Sequence, residues 1–485
     1  MKIHSLSMIV TTGKKFLALL LIVGSLSAVS AKDGDHPNIV LVMADDQGWG
    51  QVGYNGHPTL KTPNLDAMAA AGIRFDRFYA GGSVCSPTRA TILTGRTHTR
   101  TGVTTHGDNL CLQERTLPQA LQKAGYATAH FGKWHLNGVH GPGVPVLADD
   151  PNHPGLYGFD EWLTSTNFFD LNPLLSREGD FEEFKGDSSD ILVAEALEFI
   201  QRQKEAATPF LAVVWYGSPH GPMHALEQDR VESEDEELGH HLGEIVAIDR
   251  SVGALRRGLR DLEIEKDTLV WYCSDNGGLR IDPDACGTLR GNKGDFFEGG
   301  IRVPAILEWP GQIEAAIVDA PATTMDIFPT LVELLDLPGD SLLPLHDGES
   351  ILPLLKGEEL PRTHTIPFSF RGRTALIDGE FKLVNNSRKG PEAWQLFNLE
   401  KDPSEKRDLS EKLPVRFRKM RKEADRVNAS VEASAAGKDY AESQVIQPPR
   451  GEYWYEMKAY QPHFEEFFQR REFKKYENRV PPALR

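Results

Sequence analysis

The chain has 485 residues, of which 40% are hydrophobic and 25% charged, and its formal net charge is -17. That balance is ordinary for a globular protein, and the acidic surplus argues against nucleic acid or anionic membrane as a general partner. Four cysteines in so long a chain exclude a scaffold built from disulfides.

Residues 1–31 read as a secretory signal. Lys14 and Lys15 supply positive charge, Phe16 to Val23 form a short apolar stretch, and Val29-Ser30-Ala31 offers small residues for cleavage. The apolar stretch is too short to span a bilayer. The expectation is an exported protein, periplasmic or extracellular, with no stable membrane anchor. Cleavage would remove Lys2, Lys14 and Lys15 and no acid, so the charge would go from -17 to -20. The rest is long enough for two domains, expected as an α/β catalytic domain over 32–360 and a smaller C-terminal subdomain over 361–485.

Asn38 to Met43 is an apolar, β-branched-rich run with the length of a strand buried on both faces, and Asp45-Asp46 follows it. A helix is expected to begin at Thr62-Pro63, a capping threonine before a proline suited to the first turn. Cys85-Ser86-Pro87-Thr88-Arg89 reads as a turn and helix start, or as the setting of a cysteine made to be chemically altered. Leu117 to Lys123 predicts a helix ending at Gly125, and Ala127 to Phe131 a strand leading into Gly132-Lys133-Trp134-His135.

Phe210 to Tyr216 and Thr268 to Cys273 are further buried-strand runs, followed by Ser218-Pro219-His220 and by Ser274-Asp275-Asn276. Between them Ile245, Ile248, Val252, Leu255 and Leu259 repeat at helical spacing. This alternation predicts a large, mainly parallel sheet sandwiched by helices, with reactive residues at the strands' carboxyl ends. Past residue 360, Thr365 to Phe370, Thr374 to Ile377, Phe381 to Val384 and Trp394 to Leu399 predict a small antiparallel sheet, with a helix over 413–431 beside it. The aromatic tail after Tyr453 has no clean period and is expected to wrap the domains.

Asp45, Asp46, Asp275 and Asn276 make a hard, oxygen-rich set suited to calcium or magnesium, because neighbouring carboxylates repel unless a cation holds them. Arg89, Lys133, His135, His220 and Lys293 add cationic and proton-transferring groups. Together they suit an anionic oxyacid ester whose charge grows on the leaving oxygen. With Cys85 assigned to chemistry, Cys273 reads as a buried small hydrophobe, and a Cys111–Cys286 bridge is left open.

These motifs, in this order, resemble those of a type I, formylglycine-dependent sulfatase of the alkaline phosphatase superfamily, over almost all of the mature sequence. They are Ala44-Asp45-Asp46-Gln47-Gly48-Trp49-Gly50, the Cys85 pentapeptide with Thr94-Gly95-Arg96, Gly132-Lys133-Trp134-His135-Leu136, Ser218-Pro219-His220 and Ser274-Asp275-Asn276-Gly277-Gly278. Lys293 ahead of Glu298-Gly299-Gly300-Ile301-Arg302-Val303-Pro304 and Trp394-Gln395-Leu396-Phe397-Asn398-Leu399 with Asp402-Pro403 complete the set.

The resemblance implies that a maturation enzyme oxidises Cys85 to formylglycine, whose hydrate would join Asp45, Asp46, Asp275 and Asn276 around Ca2+. Asp275 would assist attack on sulfur, and Arg89 and Lys133 would steady the sulfate. His220 and Lys293 would neutralise or protonate the leaving alkoxide, and His135 would take the second hydroxyl proton to expel sulfate. For an exported enzyme without an anchor, the substrate expected is a sulfated carbohydrate. The nearest rival is a phosphonate or phosphodiester hydrolase of the same superfamily; a non-catalytic glycan-binding relative is the alternative of another class. His57, His106, His140, His224, Trp162 and Arg371 are candidates for substrate recognition.

Overall fold

Uninterrupted runs of Val, Ile and Leu leave a strand no polar face, so it must be covered on both sides. The Asn38–Ala44, Phe210–Trp215 and Thr268–Ser274 strands have that character, and each is almost wholly buried in a computed structural model. It describes residues 36–358, 361–387, 391–447 and 450–485; the expected secretory signal at 1–31 lies outside them.

The three strands sit at the middle of a ten-stranded sheet. Thr268–Ser274, Asn38–Ala44, Phe210–Trp215, Ala127–Lys133 and Glu161–Ser165 run parallel in that spatial order. Antiparallel neighbours, Ala305–Glu308 on one side and Leu174–Arg177 on the other, flank this block, so the sheet is mixed at its margins and parallel at its centre.

Alternate residues of the central strand face opposite ways. Ile39, Leu41 and Met43 enter one core cluster with Trp134 and Trp271, while Val40 and Val42 enter the other with Leu192, Phe199, Ile248 and Val252. Each fully buried aliphatic side chain contributes about 1.5–3 kcal/mol. The Glu236–Asp261 helix starts well before the apolar spacing predicts, because Asp235 accepts hydrogen bonds from Glu237 N and Leu238 N and fixes the first turn. The Ser188–Ala206 helix was not anticipated. Its signals are an Asp187 cap and the spacing of Leu192, Val193, Ala196, Phe199 and Ile200.

Ile366–Phe370, Arg373–Asp378, Phe381–Asn385 and Trp394–Asn398 form the expected antiparallel sheet in sequential order. One face packs on Met420, Ala424, Val427 and Val431 of the Pro414–Ala435 helix, the other on Tyr79, Phe296 and Ile301. Lys382, fully buried, ties this sheet to the short Glu298–Ile301 helix through Glu298 at 3.0 Å and also pairs with Glu405 at 3.0 Å. The tail packs Trp454, Tyr460 and Phe467 against Val139, Val144 and Leu174. No bridge joins Cys111 to Cys286. All four cysteines are free; Cys111 lies against Leu343 and Tyr440, and Cys286 Sγ donates to Gly299 O at 3.0 Å. Among the described residues no helix is long and apolar enough to cross a membrane.

His130, fully buried, is ringed edge-on by Trp215, Trp134 and Phe159 at centroid distances of 5.0, 5.2 and 5.3 Å. Burial, with Arg89 adding to it, holds its pKa well below the ordinary 6.5. The folded state therefore keeps the imidazole neutral where the unfolded chain takes up a proton, so stability is retained above pH 6.5 and lost as the pH falls below it. Thermal melts from pH 8 to about 5 should show a steeper acid limb for the native protein than for His130→Phe. Equal slopes would remove His130 from that account.

Candidate active site

Four neighbouring parallel strands end at one edge of the sheet and deliver the predicted residues there. Asp45-Asp46 follows Ala44, Asp275-Asn276 follows Ser274, Lys133 closes its strand, and His220 lies just beyond Trp215. Backbone bonds lock the strand ends together: Asp45 N donates to Ser218 O at 3.0 Å and Asp275 N to Ala44 O at 3.1 Å. Asp46 adopts φ 71° and His135 φ 55°, a left-handed conformation unusual for such residues and held here by the surrounding bonds. Asp46 N donates to Asp275 Oδ1 at 3.0 Å, and His135 N to Thr166 O at 3.0 Å. Gly277 has no substitute: a Cβ there would lie 1.9 Å from Gly299 O, so the Asn276 turn and the 298–300 turn can approach only through glycine.

Cys85 is the first residue of the Cys85–Thr94 helix, all of which is buried. Pro87 falls in the first turn, where a missing N–H costs nothing, and Gly95 closes the helix at φ 67°. Arg89, one turn on, points back into the same space. Its guanidinium donates to Asp275 Oδ2 at 3.1 Å and to Lys133 O at 2.7 Å, and lies 5.2 Å from the centroid of the Trp215 ring.

The charges are dense. Lys133 Nζ pairs with Asp45 Oδ2, and Lys293 Nζ lies 2.6 Å from Asp46 Oδ1 and 3.6 Å from Cys85 Sγ. Burial would raise the Asp45 carboxyl, but Lys133, His220, Arg89 and Lys293 outweigh it and hold the group well below the carboxylate range. Asp275 goes the other way: burial and the neighbouring Asp45 push it up to about 7, against Arg89. Burial, then Asp275 and Asp45, lift the Cys85 thiol well above its usual value. The thiol is therefore protonated, with Asp45 Oδ1 at 3.2 Å as its acceptor, and is a poor nucleophile as cysteine.

Ligand atoms of Asp45, Asp46, Cys85 and Asp275 lie within 4.8 Å of one another, and all four residues are buried. Asn276 Nδ2 donates to Asp46 Oδ1 at 2.7 Å while its Oδ1, buried, has no hydrogen-bond partner. A buried carbonyl oxygen without a donor, among carboxylates, fits a hard cation. The residue out of character is Cys85, a soft donor in an oxygen set.

Burial, then Lys293, pushes His220 down to about 4, so the imidazole is neutral at neutral pH. Its Nε2 lies 3.8 Å from Asp46 Oδ2 and its ring stacks on Phe168 at 4.6 Å. His135 is likewise held low, by burial and then Lys133, and its Nδ1 is buried without a hydrogen-bond partner. The side chains of His220 and Lys293 are 22% and 21% exposed, whereas those of Asp45, Asp275, Arg89 and Lys133 are 0%. The pocket therefore opens to solvent on the His220 and Lys293 side.

All ten predicted residues meet here. The sequence reading missed Trp215 under Arg89, Phe168 against His220, and Ser86, whose Oγ donates to His135 O at 2.6 Å. Only Ser86 carried a signal, its place inside the Cys85 motif. Two recognition candidates are structural instead. His57 is buried against Asp282 at 3.0 Å, and Trp162 sits in a strand, not a loop, and is 5% exposed.

Residues 37–337 match the protein-family model described as Sulfatase. The chain belongs to the sulfatase family. N-acetylgalactosamine-6-sulfatase of Mus musculus is 35% identical to this sulfatase over 412 residues, covering 75% of each chain. Arylsulfatase A of Homo sapiens is 32% identical over 437 residues, covering 77% of this chain and 83% of that protein. The crystal structure of Ps i-CgsB in complex with k-i-k-neocarrahexaose superposes with a TM-score of 0.71 at 26% identity, over 80% of this chain and 93% of that one. The fold fits the alkaline phosphatase superfamily, and the enzyme hydrolyses sulfate esters.

Proposed function

We propose that this protein is an exported sulfatase that removes sulfate from carbohydrates, working through a formylglycine made from Cys85 by a maturation enzyme and a calcium ion held by Asp45, Asp46, Asp275 and Asn276. The observation that carries this reading is the misfit of Cys85: a protonated, buried thiol at the centre of an oxygen-donor pocket. Oxidation to a hydrated aldehyde would turn that position into an oxygen donor and a hydroxyl nucleophile. When bound, calcium would supply positive charge to lower the nucleophile's pKa and offset the sulfate's charge.

The chain's own residues do the rest. Asp275 accepts the nucleophile's proton, and Arg89 and Lys133 orient the sulfate oxygens from the closed side of the pocket. The ester oxygen leaves on the open side, where Lys293 is the charged group and His220 takes up a proton once an anionic ester sits against it. His135, neutral and with a free buried nitrogen, removes the second hydroxyl proton. The 32–360 region carries this machinery, and the 361–485 subdomain packs beside it against Tyr79, Phe296 and Ile301.

The carbohydrate assignment draws on relatives named for N-acetylgalactosamine 6-sulfate and on a neighbour solved with an oligosaccharide. A phosphonate hydrolase is disfavoured by Asn276, a neutral oxygen ligand better suited to calcium than to a transition metal. Leaving-group assistance gives the test. A sugar alkoxide needs a proton far more than an activated phenolate does, so His220→Ala should slow a sugar sulfate about a hundredfold and an activated aryl sulfate by less than about tenfold. Equal losses on both would make His220 a sulfate or structural contact. Failure to cleave any member of a sulfated-glycan panel would withdraw the carbohydrate assignment.

A further inference from the structure

Arg371 and Gly372 form the two-residue turn between the Ile366–Phe370 and Arg373–Asp378 strands, with φ values of 50° and 76°. Two successive positive φ angles are the pattern that favours Asn-Gly, because a long side chain gains nothing from the left-handed region. An arginine here bears a conformational cost that asparagine or glycine would avoid, which points to a use for its side chain.

The guanidinium lies 5.1 Å from the centroid of the Phe370 ring, and one nitrogen donates to Thr105 Oγ1 at 3.3 Å. That contact reaches the rim of the Cys85 pocket. Thr105 and His106 belong to a loop pinned by Asp108, whose Oδ2 accepts from Thr104 N and Thr105 N at 2.8 and 2.9 Å. Gly107 N donates to Ser86 Oγ at 2.8 Å, so the loop is fastened to the residue beside Cys85.

His106 faces His140 at 6.5 Å. Burial, then Lys293, Arg371, His140 and Lys133, push its imidazole down to about 4, leaving an uncharged donor at neutral pH. Lys293 and Lys133 are each paired with a carboxylate, whereas Arg371 has no carboxylate partner among the described residues. Among the described residues the rim thus presents a guanidinium bonded to the neutral Thr105 hydroxyl and paired with no carboxylate, while Asp108 is turned into its own loop.

We propose that Arg371, with His106 beside it, determines specificity by binding a second anionic group of the substrate, a sulfate or a carboxylate close to the scissile sulfate ester. The preferred substrate class is therefore a polyanionic glycan. This rests on the sulfatase acting on sugar sulfates, and the experiment separates the two.

Steady-state kinetics of the matured, full-length enzyme would compare an activated aryl sulfate, a monosulfated hexosamine, its disulfated counterpart and a monosulfated hexosamine joined to a uronate. Arg371→Asn keeps a residue at home in the turn and removes the charge; Arg371→Lys restores the charge without the planar fork. Wild type should prefer one of the doubly charged sugars, and which one identifies the second group. Arg371→Asn should raise KM for that sugar on the order of tenfold, leave kcat and the aryl sulfate unchanged, and Arg371→Lys should recover part of the loss. Turnover of sugars with no preference for a second charge, or equal losses on all substrates, would overturn the role of Arg371. Aryl sulfate turnover with no sugar cleaved would overturn the carbohydrate reading and this proposal with it.

Discussion

Cys85→Ala should abolish turnover of every sulfate ester, by at least about four orders of magnitude, in a protein that still folds. The side chain removed is small and Asp45 loses only a weak S–H donor, so the stability cost should be about 1 kcal/mol. Cys85→Ser is the more informative partner. It supplies an oxygen of nearly the same size, but only one hydroxyl, so after sulfate transfer His135 has no second proton to remove. A single turnover at most is expected, read as a stoichiometric burst without steady-state rate. Sustained activity in either variant would end the proposed mechanism.

The second large effect is expected on metal removal. Three acids, one amide and a position that would become an oxygen donor make a hard site, and the rise of Asp275 to about 7, driven by burial and by the neighbouring Asp45 in spite of Arg89, marks a crowd of carboxylates that a bound cation would relieve. Elemental analysis of the purified enzyme should find calcium, and chelation should cost at least about a hundredfold in rate, recovered by adding calcium back. Asp46→Asn and Asn276→Ala should each lower occupancy and rate together. Because Asp46 also holds Lys293, a melting curve must accompany its variant. Stoichiometric zinc with no response to calcium or magnesium would favour the phosphonate-hydrolase reading.

The centre of the fold and the site were legible because both are written locally. Asn38 to Met43, Phe210 to Tyr216 and Thr268 to Cys273 can only be doubly covered strands, and a polar pair directly after such a strand must emerge at its carboxyl end. Parallel pairing then brings Asp45, His220 and Asp275 to one edge without further information. What escaped depends on contacts between distant segments. Ile73–Phe75 and Ala316–Val318 are too short to show a period, and they become strands only by pairing at the sheet's margin. Phe168 reaches His220 through tertiary packing that no spacing announces. His57, Trp162 and Arg371 look equally plausible as sequence features. Only the structure separates the first two, which are buried, from the third, which a hairpin turn carries 266 positions along the chain to meet Thr105.

If Cys85 acts only after oxidation, the mass of its tryptic peptide and the activity of the enzyme must change together. Protein made with and without a co-expressed maturation enzyme, mixed in known ratios, would be assayed and digested in parallel. A Cys85 peptide about 18 Da lighter is expected in the matured protein, with specific activity proportional to the fraction converted and none in fully unconverted enzyme. Full activity in protein whose Cys85 peptide retains the mass of an unmodified thiol would contradict it.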